Sequence, residues 1–387
     1  MKSVLIVGAG MLGKGFIGEV FDEAENWHVS YLDKDPRVIE NLKKPEGFTV
    51  ECSYEDRTEH RVITDYDAFL TDEQFSAADA AIHADVIMMP LYPEDFDEAI
   101  AYLSKMLARR AKENPAQSLD IVCNTNYNHY MNHIRETFLK DLGSDEARKW
   151  FEDQVYLSDS IIRRSTIADD NAATNLRTMC CATLLIQPPL HNDLKDVPWM
   201  EQKDKIELLK DMKVYTINGM HATSAFAGYL KGYTLIEECM DDPEIVAMVN
   251  EVMEEASYGL TRQFPITKEE IDDMCAFFYI KLDSPINDAI LRVCWDPARK
   301  LGRNDRLTGN AMYCYEHGKE PVVLMQSMAN AMAYDDPRDP IAMEIQKKIQ
   351  EKGIVQAISE VCGIPADHHI TQCVAENYRK LMEKRAK

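Results

Sequence analysis

The stretch Lys213-Val-Tyr-Thr-Ile-Asn218-Gly-Met-His221 sets a base, an amide and an imidazole five and three positions apart. On a helix turning about 100° per residue, Asn218 lies roughly 140° and His221 roughly 80° around the axis from Lys213, so all three could line one cleft. Lysine acts as a general base when burial and neighbouring cations bring its pKa from about 10.4 towards 7–8. That shift costs about 4 kcal/mol, at roughly 1.36 kcal/mol per unit. The same spacing also suits an amphipathic helix with a snorkelling lysine, a capping asparagine and a core histidine. The rest of the chain has to choose between the two.

A second chemical motif opens the chain. The apolar run at residues 3–7 ends in Gly8-Ala-Gly10-Met11-Leu12-Gly13-Lys-Gly15-Phe-Ile-Gly18, a G-x-G-x-x-G pattern placed where a strand must turn into a helix. Gly8 permits the tight turn, Gly10 lets a pyrophosphate approach the backbone, and Gly13 allows close helix packing. Phosphate would then sit at the helix N-terminus, over Met11 and Leu12. A second strand, Trp27 to Leu32, ends at Asp33, whose carboxylate would accept hydrogen bonds from ribose hydroxyls and repel a 2′-phosphate. The expected cofactor is therefore NAD.

These motifs need a scaffold. Strand-like runs at 85–91 and 119–123, with an amphipathic helix over 95–113 between them, call for a doubly wound parallel sheet of Rossmann type, an α/β fold. Substrate and nicotinamide would meet at the carboxyl ends of these strands, near Pro90 to Pro93 and Asn124 to Asn128, with Asn126 the most useful donor. Residues 48–64 alternate like a hairpin, an excursion from the βαβ pattern. Further strands are expected at 154–158 and from Met179 to Ile186, where Cys180 and Cys181 would face opposite sides of a sheet. Gln187-Pro-Pro is the best domain boundary, giving a sheet domain over 1–190 and a mostly helical one over 191–387. Helical periodicity runs from about 203 onward, including 213–231, 286–294, 322–333 and 340–361, broken at prolines.

Bulk properties narrow the partners. With 66 acidic against 43 basic side chains, the net charge of −23 repels nucleic acid and anionic lipid. No run of apolar residues has membrane-spanning length. The start at Met1 enters a strand directly, and the ten cysteines include no C-x-x-C pair, so the reading expects no leader, reduced thiols and a cytoplasmic setting. Against that acidic field, Arg292, Arg299, Lys300, Arg303 and Arg306 place five cations in fifteen residues, a group suited to phosphate or carboxylate, although such a run by itself is more often a solvated, salt-bridged surface. No metal site is expected: His129 and His133 lack a third ligand, and His368-His369 reads as a helix start.

Taken together, the glycine turn, Asp33, the Lys-x4-Asn-x2-His spacing and the Arg292 to Arg306 run resemble the polyol-specific long-chain dehydrogenases, also called the mannitol dehydrogenase family. The likeness extends from residues 8–18 through 215–230 to 297–307. It implies a Rossmann domain followed by a mostly helical substrate domain, and metal-independent hydride transfer between a sugar alcohol and its ketose. Lys213 matches the family's general base, Asn218 and His221 its partners, and Asn126 the asparagine after the last cleft strand; Arg292 and Lys300 fall on substrate positions. The resemblance points to mannitol 1-phosphate and fructose 6-phosphate as substrates and to a monomer or homodimer. Two departures stand out: Thr125 where the family carries an acid, and Arg163-Arg164 where it carries aspartate then arginine. Arg163, Arg299, Arg303 and Arg306 would add to a positive wall for the anionic sugar. A keto-uronate reductase, a free polyol dehydrogenase and an inactive NAD-binding sensor are the alternatives.

Overall fold

The apolar run after Met1 is the centre of a sheet in the computed structural model, which describes residues 1–284 and 288–386. The strands are β1 Lys2–Val7, β2 Trp27–Asp33, β3 Phe48–Ser53, β4 Thr58–Ile63, β5 Asp67–Leu70, β6 Val86–Met89, β7 Leu119–Cys123, β8 Val155–Ile161, β9 Thr166–Ile167, β10 Asn175–Met179, β11 Leu184–Ile186 and β12 Met200–Gln202. Parallel pairing gives the order β5-β2-β1-β6-β7-β8, to which β11 adds antiparallel and β12 beyond it. The order reverses beside β1, so the glycine turn sits at the topological switch point.

The helices α1 Glu19–Glu23, α2 Pro36–Leu42, α3 Ala78–His83, α4 Phe96–Glu113, α5 Met131–Asp141 and α6 Asp145–Gln154 accompany this sheet. Alternate residues of the central strands feed two cores. Val4, Ile6, Val86 and Met88 pack with Phe16 and Phe21, while Leu5, Val7, Ile87 and Met89 pack with Phe96 and Phe138. Burial on both faces explains why these strands read as continuous apolar runs.

The expected hairpin is β3 and β4, and it is half of a second sheet ordered β4-β3-β10-β9. The single strand expected from Met179 to Ile186 is two strands, because β10 belongs to the second sheet and β11 to the first. Cys180 and Cys181 lie in the turn where the chain changes sheets, not on opposite faces of one. All ten cysteines are unbridged.

The chain divides into two compact units, Met1–Lys210 with Ile280–Ile286, and Asp211–Tyr279 with Asn287–Lys387. The boundary expected at the prolines after Gln187 falls between β11 and β12, both strands of the first unit's sheet. Prolines interrupt the local pattern there without ending the unit.

The remaining helices are α7 Ile206–Tyr215, α8 Ile217–Lys231, α9 Ile236–Met240, α10 Pro243–Gln263, α11 Lys268–Cys275, α12 Ile290–Cys294, α13 Pro297–Lys300, α14 Thr308–Glu316, α15 Val322–Met332, α16 Pro340–Lys352, α17 Ile354–Cys362 and α18 His369–Arg385. Several begin on proline behind a capping aspartate: Asp242 accepts from Glu244 N (2.9 Å) and Asp339 from Ile341 N (3.0 Å). The helix expected over 213–231 is broken at Thr216, whose ψ of −90° leaves the helical range and whose hydroxyl donates back to Met212 O at 2.8 Å. Gly353, at φ 79°, divides the helix expected over 340–361. Of the helix expected over 286–294, Ile290–Cys294 is formed, and residues 285–287 lie outside the described residues.

Candidate active site

In the first unit, Gly8 takes φ 104°, a backbone region side chains avoid, and its N–H donates to Leu32 O at 2.8 Å. A Cβ on Gly13 would stand 2.0 Å from Gly8 O, so the helix approaches the turn as closely as backbone allows. The chain leaves Met11 and Leu12 in a π-wound segment over Gly13–Gly18 before α1. Asp33 closes the turn: its Oδ2 accepts from Ala9 N (2.7 Å) and its Oδ1 from Asp35 N (2.8 Å). Burial raises the Asp33 pKa, opposed by those two N–H groups. This cradle, with room at Gly10 for backbone but not for a side chain and with a carboxylate at the end of β2, fits a dinucleotide.

Two contributors here escaped the sequence reading. Lys14 is buried and donates to Asn171 O (2.8 Å) and Ala173 O (2.7 Å), tying the loop before β10 to the glycine turn. Burial brings its pKa down to about 8, against the attraction of Asp33 and Asp170. Asn171 Oδ1 lies 3.1 Å from where a Cβ on Gly10 would be, so this loop borders the cradle. The lysine between Gly13 and Gly15 was the available signal, because a cation inside a glycine run needs a reason.

At the carboxyl end of β7, Asn124 is buried and donates to Ser160 Oγ (2.9 Å), Thr125 Oγ1 accepts from Tyr127 N (3.2 Å), and Asn126 is exposed. Arg163, which departs from the expected pattern, and Arg164 beside it are both taken up inside the first unit. Arg163 donates to Thr183 O (3.2 Å) and Thr183 Oγ1, with Glu201 at 3.6 Å. Arg164, fully buried, donates to Glu19 Oε2 at 2.9 Å and lies over the Phe16 ring. A second buried pair, Lys210 Nζ to Asp159 Oδ1 at 2.5 Å, joins α7 to β8. Lys210 precedes Lys213 by three residues, a helical spacing that could have drawn attention to it.

In the second unit, Lys213 near the end of α7 and Asn218 and His221 on α8 are all half-buried. The break at Thr216 separates the lysine's helix from that of its partners. The His221 ring packs against Phe278 with centroids 4.8 Å apart. Burial pushes the His221 pKa down to about 4; Asp288 opposes this, and Arg292, Lys213 and Arg306 reinforce it. The shift favours the neutral imidazole, within reach of the charges of Arg292, Lys213 and Arg306. This convergence of Lys213, His221, Arg292 and Arg306 is what the structure makes of residues scattered over almost a hundred positions.

The five-cation run does not act as one wall. Arg292 is bound to Asp288, which lies just ahead of α12 (Nε to Oδ1, 2.6 Å), and Arg306 Nε donates to Asp305 Oδ1 at 2.7 Å. Arg299 is exposed, with Asp296 at 3.8 Å, and Arg303 donates to Glu316 at 3.0 Å, so each faces a carboxylate of its own. Lys300 is buried, donating to Trp295 O and, at 3.5 Å, to Asp296 O. Burial, then the charges of Arg306 and Arg299, lower its pKa to about 8.

A doubly wound sheet with a dinucleotide-type turn, followed by a mostly helical unit carrying a lysine, an asparagine and a histidine at its start, defines an oxidoreductase of the Rossmann class. Residues 2–181 match the mannitol dehydrogenase Rossmann domain and residues 205–382 the mannitol dehydrogenase C-terminal domain, so the chain belongs to the mannitol dehydrogenase family. It is 25% identical to mannitol-1-phosphate 5-dehydrogenase of Caldanaerobacter subterraneus over 99% of this chain and 100% of that one. It is 28% identical to the enzyme of the same name from Bacillus licheniformis, over 96% and 98%. Among solved structures it shares its fold with Pseudomonas fluorescens mannitol 2-dehydrogenase, a ternary complex with NAD and D-mannitol (TM-score 0.65, 16% identity, 99% of this chain and 92% of that one). D-sorbitol dehydrogenase in substrate-free form aligns with TM-score 0.76 at 13% identity, over 98% and 93%. No helix among the described residues is long and apolar enough to cross a membrane.

Proposed function

We propose that this chain is an NAD-dependent polyol phosphate dehydrogenase interconverting mannitol 1-phosphate and fructose 6-phosphate. The observation that carries this reading is the neutral His221 set among Lys213, Arg292 and Arg306, in a chain aligned end to end with relatives named for that reaction. The glycine turn would hold NAD, with Asp33 placed to accept from its ribose, and the bound cofactor would supply the hydride acceptor. Lys213, neutral when substrate is in place, takes the proton of the secondary hydroxyl as hydride leaves the same carbon. Asn218 donates to the developing alkoxide, a charge that appears only in the transition state and that fixed amide donors suit; for Asn126, after β7, the family resemblance implies the same role. His221, uncharged, orients the hydroxyl or the lysine without adding a competing cation. Arg292 and Arg306 supply the positive field for a phosphate.

A phosphate is favoured over a uronate because the relatives aligned end to end are named for a polyol phosphate. The deciding measurement compares kcat/KM for fructose 6-phosphate, fructose and tagaturonate with NADH at two ionic strengths. Fructose 6-phosphate should lead by about 2 kcal/mol or more of transition-state binding and lose part of that lead as salt rises. Equal performance by free fructose would overturn the phosphate assignment.

A further inference from the structure

Outside the Lys213 group, the second unit brings a carboxylate, an imidazole and a thiol together at the start of its last helix. Glu320 stands in the turn between α14 and α15, and His369 and Cys373 lie one helical turn apart on α18. His369 Nε2 is 2.6 Å from Glu320 Oε1 and 3.5 Å from Cys373 Sγ. One ligand atom from each residue lies within 4.8 Å of the other two. Zinc bonds of about 2.0–2.3 Å in tetrahedral geometry put neighbouring ligand atoms roughly 3.4–3.8 Å apart. The histidine and thiol already stand at that separation, and the carboxylate needs to withdraw by less than a bond length.

We infer that Glu320, His369 and Cys373 form a binding site for a divalent cation of zinc type, separate from the hydride chemistry. The donors are those zinc accepts, and the i, i+4 spacing on α18 presents two of them from one helical face. The expectation that both terminal histidines only start a helix holds for His368, whose Nδ1 accepts from Ile370 N at 3.2 Å. That bond commits His368 to the cap and leaves His369 for the cluster. The Tyr315 ring stacks on His369, centroids 5.4 Å apart and 19° from parallel, which fixes the imidazole's orientation as a supporting residue around a metal would.

Glu320 and His369 are nearly half exposed, giving a cation a route from solvent. Occupied, the site would tie α18 to the turn ahead of α15.

The test uses full-length protein freed of metal by a chelator and titrated with Co2+ alone. A near-ultraviolet thiolate-to-cobalt absorption should rise to a stoichiometric end point and disappear when Zn2+ is added. Cys373→Ser should abolish the band, and His369→Ala and Glu320→Gln should each weaken cobalt binding by roughly tenfold or more, the scale on which even outer-shell partners act. Far-ultraviolet circular dichroism identical to wild type shows that the variants fold. No band in the wild type, a band that survives Cys373→Ser, or unchanged cobalt affinity in His369→Ala overturns the site. None of these readouts depends on catalysis, so failure of the proposed reaction leaves them interpretable.

Discussion

The glycine turn of the first unit and the histidine surroundings of the second do their work by opposite means. Around Gly8 and Gly13 the sequence acts by omission: a Cβ on Gly13 would stand 2.0 Å from Gly8 O and one on Gly8 3.0 Å from Pro90 O, and the glycines of the device are near neighbours in the chain. Around His221 it acts by accumulation: burial first, then the charges of Arg292 on α12, Lys213 on α7 and Arg306 in the turn ahead of α14, against Asp288, favour one protonation state. Steric devices are local and fail abruptly. Electrostatic devices are distributed and fail by degrees.

The sharpest separation of the two comes from Lys213→Ala. It should lower kcat by about 10³-fold, in the range of a lost general base, while NADH titration stays at wild-type affinity because the glycine turn is untouched. Near-normal turnover would remove Lys213 from its role. The steric counterpart, Gly13→Ala, drives a methyl into Gly8 O and should cost about 3 kcal/mol in urea unfolding, with weakened NADH binding. Unchanged stability would mean that the turn has slack the geometry denies.

A smaller effect belongs to His221, whose folded pKa of about 4 lies below the ordinary histidine value of 6.5. The unfolded chain takes up a proton as pH falls through 6.5 and the folded chain does not, so stability is lost between about 6.5 and 4 and is fully present above. Between pH 8 and pH 5 this amounts to about 2 kcal/mol. His221→Asn should flatten that part of the stability profile, and an unchanged slope would mean the imidazole is not held neutral. The smallest change is expected from Asp33→Asn, which keeps an acceptor for Ala9 N but drops the charge. The preference for NADH over NADPH should narrow by roughly tenfold, about 1.4 kcal/mol. Tighter binding of NADPH by the wild-type protein would remove Asp33 from its selecting role.

The sheet and its turn were legible because their signals are short-range: apolar runs of strand length, glycines at fixed offsets, and an acid at the end of the second strand. The break at Thr216 was not, since a threonine hydroxyl returning to Met212 O leaves no glycine or proline to announce it. Nor was the change of sheet after Met179, where both halves share one strand-like pattern and differ only in which distant strand they pair with. The basic run shows the same limit. Its residue types suggested a single anionic site, but whether an arginine serves a ligand or a salt bridge depends on partners such as Glu316 and Asp288, which spacing does not reveal.

Asp33 reaches back across 24 residues to hold the Ala9 N–H. The conformational freedom of the glycine turn is thus surrendered when the sheet assembles rather than when a ligand arrives. Association at this turn should therefore carry little ordering entropy from the loop, with an on-rate free of a slow rearrangement step.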